Sequence, residues 1–488
     1  MFRLRLFLCS FVATGLVLVV ISSLKNEAFI CVNPLFNYSL WNIQSSAQSG
    51  RPPHWVAKRN MTHLFDWTWL RNGNYEKYRR IRESGFRIKR PININGRPPS
   101  VVNDVKTYLR THPDQGLIID DFRQLPNPIP HPLPRAVDLN STCYQQNIMN
   151  CNPWQSCIYN AEVLSLRSPA TTHSVTVAVF NAFIDNGSCS PAGVIYNEYA
   201  TYHFQQWSTK PCHNDPVPFC STGKIVEYYE ELLDSVGVFL AANGHFAPEQ
   251  LPRALRLLAT APSTAKLLVA KGGTADQFME ILVDLGIVTR DRIIPYDPKK
   301  IYAAKIVYRT ESWPYLTGDL YGKYVHDRTD METVHKAIIG DNDLVDEERD
   351  VLLVVKRKEG DQRSTSNHDS MVGLIKQILA EHPSVQLKIQ VFNAEGHVRE
   401  QIKVWQKAKV VVAPHGAGLY NVMWCKPGTL IIEFGQSEGW PLPEMYFEMS
   451  VHSGHKYWLV KAKGRADKPI TVDLRDLKWA LNDALMTL

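Results

Sequence analysis

The chain has 488 residues, enough for about three domains of ordinary size and for large buried cores. Hydrophobic residues make up 44% of it and charged residues 21%, a globular composition that excludes a disordered or fibrous protein. The net charge of +6 is too dilute over this length to indicate a nucleic-acid partner, although it suits an anionic small-molecule substrate.

The first segment with a clear pattern is the run 6–24, which carries no charged residue and follows Arg3 and Arg5. A helix over this run would be about 28 Å long, close to the roughly 30 Å of a hydrocarbon core. The two arginines favour a cytosolic N-terminus, with the rest of the chain across the membrane. We therefore predict a retained signal anchor in type II orientation. A cleaved signal peptide is the alternative, since it would also export the chain.

Cysteine usage agrees with export. Cys9 lies in the predicted anchor, and six of the other eight cysteines fall between 143 and 220. In an oxidising compartment this density predicts about three disulfide bridges, with the pairing open. A zinc site is the rival, but the sequence contains no CxxC pair. Glycosylation sequons, compatible with a lumenal glycoprotein, occur at Asn37, Asn60, Asn140 and Asn186.

Residues 25–135 show poor periodicity and end in alternating prolines (PNPIPHPLP). Such prolines favour a stiff, extended segment. We predict a stem here, with at most some local structure near Trp67 and the basic run 77–90.

From about residue 225 onward, helix and strand patterns alternate. An apolar segment at 226–242 precedes predicted helices and strands at 248–260 (helix), 265–270 (strand), 275–285 (helix) and 304–308 (strand). The C-terminal third alternates strands VLLVV, VQLKIQV, VVVAP and TLIIEF with helices MVGLIKQILAEH, VREQIKVWQKA and GAGLYNVMW. This order predicts a parallel, doubly wound sheet. Two such units in tandem, with a cleft between them, are the expected assembly.

One turn in this region has the residues of a phosphate site. In KVVVAPHGAGLYN a buried strand runs into a helix through His415, Gly416, Ala417 and Gly418. Glycines let the backbone approach a ligand closely, and N–H groups of a first helical turn favour phosphate oxygens. A dinucleotide fingerprint is the alternative, but its third glycine is missing. Glu433 ends the next strand, where it could accept hydrogen bonds from ribose hydroxyls.

The stretch APHGAGLYNVMWCKPGTLIIEF closely resembles the signature of glycosyltransferase family 61, nucleotide-sugar enzymes with a GT-B fold. Three more segments resemble motifs of that family and occur in the family's order: NGHFAPEQLPRALRLL, KRKEGDQRSTSN and REQIKVWQKAKVVVAPHG. Together they cover roughly residues 225–460. The chain departs from the family pattern at Leu-Tyr-Asn-Val, where Leu-Thr-Asn or Leu-Thr-His is common, and at Cys425.

The resemblance implies a GT-B fold, in which two Rossmann-like domains face a cleft. The predicted organisation is a cytosolic tail (1–5), a transmembrane signal anchor (6–24), a stem (25–135), an N-terminal acceptor domain with the Cys-rich segment (136–345) and a C-terminal nucleotide-sugar-binding domain (346–488). Residues 135–224 match no piece of the family, which leaves the acceptor open.

The activity that the resemblance implies is inverting transfer of a sugar from a UDP-sugar to a hydroxyl of a glycan, polysaccharide or glycoprotein. A pentose such as xylose is the first choice of sugar, and N-acetylglucosamine transfer to a glycoprotein is the second. A catalytically inactive lumenal carbohydrate-binding or scaffold protein is the non-enzyme alternative. The expected location is the Golgi membrane, with the endoplasmic reticulum as second choice.

For the donor, the resemblance implies that guanidinium groups after the VLLVV strand bind the diphosphate and that His415 reaches the diphosphate or the sugar. The predicted donor-binding set is Arg357, Arg363, Asn367, His415, Gly416, Ala417, Gly418, Asn421 and Glu433. The only Asp-x-Asp near the motifs is Asp341-Asn-Asp343, which we interpret as a solvated linker. We therefore expect no cofactor and metal-independent donor binding.

An inverting transferase also needs a general base for the acceptor hydroxyl. In NGHFAPE only His245 and Glu249 can accept a proton, and four residues apart they would share a helix face. Pro248 fits the first helical position, which would place Glu249 in a first turn that favours an ionised carboxylate. We predict Glu249 as the base and His245 as its acceptor-positioning partner. The reverse assignment, or simple capping by Glu249, remains open.

Overall fold

The structure is a computed structural model. It describes residues 7–9, 18–20, 53–65, 80–81, 83, 100–102, 104–123, 135–137, 173–185, 194–202, 225–237, 240–313, 328–340, 348–438, 442 and 445–488. The chain divides into two compact units, Met1–Ser49 and Gly50–Leu488. The cysteines predicted to form bridges between 143 and 220 lie outside the described residues.

The first unit bears on the predicted anchor at 6–24. Its described residues form two short antiparallel strands, β1 (Phe7–Cys9) and β2 (Leu18–Val20). Among the helices in the described part of the chain, none is long and apolar enough to span a bilayer. The anchor is therefore not confirmed.

The second unit contains a mixed nine-stranded sheet with the order β10-β9-β8-β11-β5-β6-β7-β3, and β4 also pairs with β5. Its strands are β3 (Ser100–Val102), β4 (Gly116–Arg123), β5 (His173–Asp185), β6 (Val194–Tyr196), β7 (Ala200–Tyr202), β8 (Ile225–Asp234), β9 (Lys266–Val269), β10 (Ile293–Pro295) and β11 (Lys300–Trp313). Strands β8 to β11 pair in parallel, whereas β5 runs antiparallel to β4, β6 and β11.

Strand β5 shows why this sheet is buried on both faces. Val175, Val177 and Val179 pack into one hydrophobic cluster, and Ala178 and Phe180 pack into another. Successive side chains of a strand point to opposite faces, so β5 needs an apolar layer on each side.

The described residues of this half of the unit form the helices α1 (His54–Lys58), α2 (Val105–Thr111), α3 (Asn243–His245), α4 (Leu251–Thr260), α5 (Gly273–Asp284) and α6 (Arg328–Ile338). A π-helical turn, Phe246–Gln250, joins α3 to α4. Pro248 has no N–H, and its ring disfavours a regular α-helix interior. The wider turn accommodates it and lets Leu251 donate its N–H to the Phe246 carbonyl.

The C-terminal sheet has six strands in the order β13-β12-β14-β15-β16-β17, all parallel except the pair β16 and β17. They are β12 (Val351–Val355), β13 (Lys388–Phe392), β14 (Ala408–Pro414), β15 (Leu430–Glu438), β16 (Lys456–Arg465) and β17 (Thr471–Val472), with helices α7 (His368–Glu381), α8 (Val398–Gln406), α9 (Met445–His452) and α10 (Leu474–Leu485). The continuous apolar run of β12 is typical of a parallel strand covered on both faces.

The predicted α/β class is confirmed, and three details differ. The nine-stranded sheet is mixed rather than the parallel sheet expected for both units, because β5 runs antiparallel to β4, β6 and β11. The helix predicted over GAGLYNVMW is a 3₁₀-helix, Ala417–Trp424, whose residues from Leu419 onward are all buried. Part of the predicted stem belongs to the folded unit, since it supplies β3, β4 and a segment at 53–65 that buries Trp55, Val56 and Met61. These pieces pack through distant tertiary contacts, so they leave no periodic pattern in the sequence.

The two sheets meet through side chains that flank the glycine turn. The rings of Phe278 and Trp424 lie 5.6 Å apart between centroids, and His335 Nδ1 lies 2.9 Å from the Met423 carbonyl oxygen. At the start of α3, a Cβ atom on Gly244 would lie 3.1 Å from Ala417 Cα. The helix that carries His245 therefore abuts the predicted phosphate turn.

Candidate active site

The turn after β14 is built around Gly416. Its φ of +148° is in the region that favours glycine, and a Cβ atom there would lie 2.1 Å from Arg357 Nη1. Any side chain at this position would collide with the guanidinium. Gly418 packs next to β12, where its Cβ would lie 3.2 Å from Val355 Cγ1. The first turn of the following 3₁₀-helix leaves backbone N–H groups without intrahelical partners.

Two guanidinium groups lie at this turn. Arg363 donates from Nε to the His415 carbonyl at 3.0 Å and from Nη1 to the Ala466 carbonyl at 2.7 Å. Arg357 has a buried Nε with no hydrogen-bond partner in the described structure. Burial, and then the charge of Arg357, lower the pKa of Arg363.

Neither arginine forms an ion pair with a carboxylate of the described residues. Adjacent cations with unmet donors are an arrangement that an anion stabilises, because charge-assisted bonds to phosphate or carboxylate oxygens are the strong ones. The turn therefore has the chemistry of an anion site.

His415 is held by a carboxylate from the neighbouring strand. Its Nδ1 lies 2.5 Å from Glu433 Oε1, and Tyr457 donates its hydroxyl to Glu433 Oε2 at 2.6 Å. Glu433 is 0% exposed. The expected contact of Glu433 with ribose hydroxyls is therefore not what the geometry gives, since both of its oxygens are occupied within the protein. Glu433 instead fixes the imidazole.

Two asparagines of the predicted donor set also face the protein. Asn367 donates to the Val472 carbonyl at 2.9 Å and accepts from the Val472 N–H at 3.0 Å, so its amide ties the loop before α7 to β17. Asn421 is fully buried, donates to the Gly418 carbonyl and accepts from Trp424 Nε1. Both amides make their hydrogen bonds within the protein, so neither is oriented toward a bound nucleotide sugar.

His245 and Glu249 come together as their spacing predicts. His245 Nδ1 lies 2.5 Å from Glu249 Oε1, and both side chains are partly exposed. The helix begins at Asn243 rather than at Pro248, so His245 lies within the helical segment instead of preceding it.

Sequence reasoning missed Tyr446, which lies where the two halves meet. Its ring centroid is 5.0 Å from that of His415, and its hydroxyl would be 3.4 Å from a Cβ on Gly244. Burial and the nearby Glu433 raise its pKa, while Arg363 and Arg357 act in the opposite direction. A single tyrosine twelve residues beyond the quoted signature carries no spacing signal, so the sequence offered no means of finding it.

The described residues contain no group of three or more His, Cys, Asp or Glu side chains that could hold a metal ion. Asp341 and Asp343 lie outside the described residues.

Comparison with curated proteins found no match. The family model described as Glycosyltransferase 61 matches residues 243–432. This range contains the His245–Glu249 pair, Arg357, Arg363 and the turn 415–418, whereas Glu433 and Tyr446 lie beyond its end. It extends from the first turn of α3 into β15. Residues 243–432 thus match a glycosyltransferase family 61 domain, and this match supports a glycosyltransferase activity.

Proposed function

We propose that this glycosyltransferase is an inverting enzyme of GT-B architecture that transfers a sugar from a UDP-sugar to an acceptor hydroxyl. The observation that carries the proposal is the pair of guanidinium groups at Gly416, which have no carboxylate partner among the described residues. A nucleoside diphosphate has the charge and the oxygen geometry that two guanidinium groups bind.

In this reaction the acceptor oxygen attacks the anomeric carbon while the bond to the diphosphate breaks on the opposite side. Charge develops on the departing diphosphate, and preorganised donors stabilise it more than they stabilise the bound substrate. Arg357 and Arg363 are the proposed donors. His415 adds a third, since Glu433 holds Nδ1 and thereby sets which imidazole nitrogen faces a ligand.

The acceptor proton must go to a base. We propose the His245–Glu249 pair, which approaches the glycine turn through Gly244. The 2.5 Å contact makes the two side chains one unit, and the carboxylate that holds His245 favours the imidazole as the proton acceptor. This reverses the assignment expected from the sequence. His245→Ala should then reduce transfer at least about 100-fold while UDP binding stays normal, and Glu249→Gln should reduce transfer less. Full transfer by both variants would place the base elsewhere.

The decisive experiment compares Arg357→Ala with Arg399→Ala. Arg399 forms a surface ion pair with Asp284, so the two variants lose the same charge at different places. Arg357→Ala should weaken UDP binding by about 10- to 100-fold, whereas Arg399→Ala should bind UDP like the natural chain. Equal affinity of all three proteins for UDP would refute the diphosphate assignment.

For the sugar, we propose a pentose such as xylose, moved to a glycan or polysaccharide, with N-acetylglucosamine transfer to a glycoprotein as the second candidate. Hydrolysis measured over a panel of nucleotide sugars distinguishes them. We also propose that donor binding is metal-independent, because the two arginines can offset the diphosphate charge. Turnover that is abolished by a chelator and restored by a divalent cation would contradict this.

For location, we propose a Golgi membrane protein of type II, supported by the uncharged run 6–24 that follows Arg3 and Arg5. Expressed in cells, the chain should stay with membranes after alkaline extraction, with its bulk protected from added protease. Recovery of a soluble product that begins near residue 25 would instead indicate a cleaved signal peptide.

A further inference from the structure

The hydroxyl of Tyr446 makes no hydrogen bond with any residue that the structure describes, although the residue as a whole is only 2% exposed. The residue is the second of α9 and lies outside the stretch that matches the family. The hydroxyl is not among the fully buried polar atoms that lack a partner, so solvent or a ligand can reach it and supply the acceptor that the described residues do not provide.

The surroundings of this hydroxyl come from both halves of the unit. The ring lies against His415, and the hydroxyl faces the position where Gly244 lacks a side chain. Among the charged groups that act on the hydroxyl, Glu433 is the strongest, Arg363 and Arg357 follow, and Glu249 is the weakest. Both guanidinium groups of the glycine turn therefore act on this hydroxyl.

The protonation state limits what this group can do. Burial and the nearby Glu433 raise the pKa of Tyr446 above its ordinary value of 10.0, so the phenol keeps its proton at any physiological pH. A neutral phenol beside two arginines can donate a hydrogen bond to an anion that those arginines attract. It is not a candidate for the general base.

We propose that Tyr446 donates a hydrogen bond from its hydroxyl to the diphosphate of the bound nucleotide sugar. This inference rests on the proposed function and adds a phenol hydroxyl to the proposed diphosphate donors Arg357, Arg363 and His415. The absence of a side chain at Gly244 leaves room beside the hydroxyl, so that the diphosphate can be reached from the helix carrying His245 as well as from the glycine turn.

The test is Tyr446→Phe, which removes one oxygen atom and keeps the ring. Affinities for UDP, inorganic pyrophosphate and uridine are measured by calorimetry. UDP and pyrophosphate should bind about 10- to 100-fold more weakly to the variant, the range for a hydrogen bond to a charged group. Uridine, which has no phosphate, should bind equally to both proteins. Without ligand, the thermal unfolding midpoint should be unchanged or higher, because the hydroxyl has no partner in the protein to lose.

The matched control is Tyr308→Phe. Tyr308 is buried in the other sheet and donates its hydroxyl to Glu231 at 3.0 Å. Its removal should lower the unfolding midpoint and leave diphosphate affinity unchanged. A purely structural function of the Tyr446 hydroxyl would give this same pattern at Tyr446.

The outcomes separate this inference from the proposed function. If the natural chain binds UDP or pyrophosphate and Tyr446→Phe binds them equally well, the inference fails and the proposed function stands. If Arg357→Ala loses affinity and Tyr446→Phe loses it too, with an unchanged midpoint, both are supported. A natural chain that binds neither diphosphate overturns both.

Discussion

At the scale of single residues, Arg363 has an unusual backbone. Its φ is +58°, in a region that residues other than glycine seldom adopt and that costs on the order of 1 kcal/mol. Three contacts hold it there: its own N–H bonds to the Lys468 carbonyl, and its guanidinium bonds to the carbonyls of His415 and Ala466. Such strain persists where the surroundings fix it, and here it aims the guanidinium at the glycine turn.

A second residue makes stability depend on pH. His455 is fully buried, with Nε2 2.9 Å from the Val422 carbonyl, and burial lowers its pKa from 6.5 to about 4. The unfolded chain therefore takes up a proton near pH 6.5 that the folded chain resists until about pH 4. Stability is fully present above pH 6.5 and is lost as the pH falls through this window, by about 3 kcal/mol at most.

The measurement is urea unfolding at pH 4.5 and pH 7 for the natural chain and for His455→Gln. Glutamine can still donate to the Val422 carbonyl but does not titrate in this range. The variant should show a smaller difference between the two pH values. The charges that act on His455 come from His335 and Arg349. If the variant shows the same difference between the two pH values, a group other than His455 causes the pH dependence.

Residue types and their spacing predicted part of this site. The interval of four between His245 and Glu249 predicted that they share a face, and the side chains meet. The sequence could not show that Glu433 contacts His415 and Tyr457, because these contacts depend on how β15 pairs with β14 and β16. The motifs therefore identified the region of the candidate site, whereas the pairing of the strands determines which side chains can face a ligand.

At the scale of elements, the sequence predicted a strand correctly where a continuous apolar run marks it locally. VLLVV was predicted at 351–355, and β12 is Val351–Val355, because a continuous β-branched run between polar residues has one interpretation. The short strands β3, β6 and β7 were missed. Each has three residues, and their pairing with distant partners, rather than any local pattern, determines them.

Helix α3 supplies a prediction of its own, since Gly244 abuts the glycine turn. Gly244→Ala would bring a Cβ to 3.1 Å from Ala417 Cα and 3.4 Å from the Tyr446 hydroxyl. Backbone must then move by a few tenths of an ångström, and misplaced catalytic groups lose rate steeply. We expect transfer to fall about 10-fold or more in a protein that remains folded.

The control for this change is Gly373→Ala. Gly373 is an exposed residue inside α7, and a Cβ there meets nothing within 4 Å. The change should raise the free energy of unfolding by about 0.5–1 kcal/mol and leave transfer unchanged. Steady-state rates and urea unfolding of both variants give the comparison, and equal transfer by the two would show that the approach of α3 to Ala417 does not matter for the reaction.

At the scale of the whole molecule, one hydrophobic cluster extends through both sheets. It includes Leu267 of β9, Leu353 of β12, and the pair Phe278 and Trp424. The segment 53–65 belongs to the same cluster. Both halves and this segment therefore share one buried apolar core. This core couples their folding and holds α3 against the glycine turn.

That sharing predicts where the chain can be shortened. A chain that begins at Gly50 keeps the second unit whole. A chain that begins at residue 66 lacks five buried side chains of the cluster, namely Trp55, Val56, Met61, Leu64 and Phe65. At about 1.5–3 kcal/mol for each, this loss is comparable to the 5–15 kcal/mol that stabilises an ordinary domain.

The chain from Gly50 should be soluble, unfold cooperatively and bind UDP, whereas the chain from residue 66 should aggregate or expose hydrophobic surface to a fluorescent dye. Two variants of the longer chain locate the cause. Met61→Ala should cost about 2–5 kcal/mol, because Met61 is fully buried, while Lys58→Ala should cost almost nothing, because Lys58 lies on the exposed side of α1. If the segment 53–65 only spaced the enzyme from a membrane, both truncated chains would have the same urea midpoint. That result would show that the segment does not stabilise the fold.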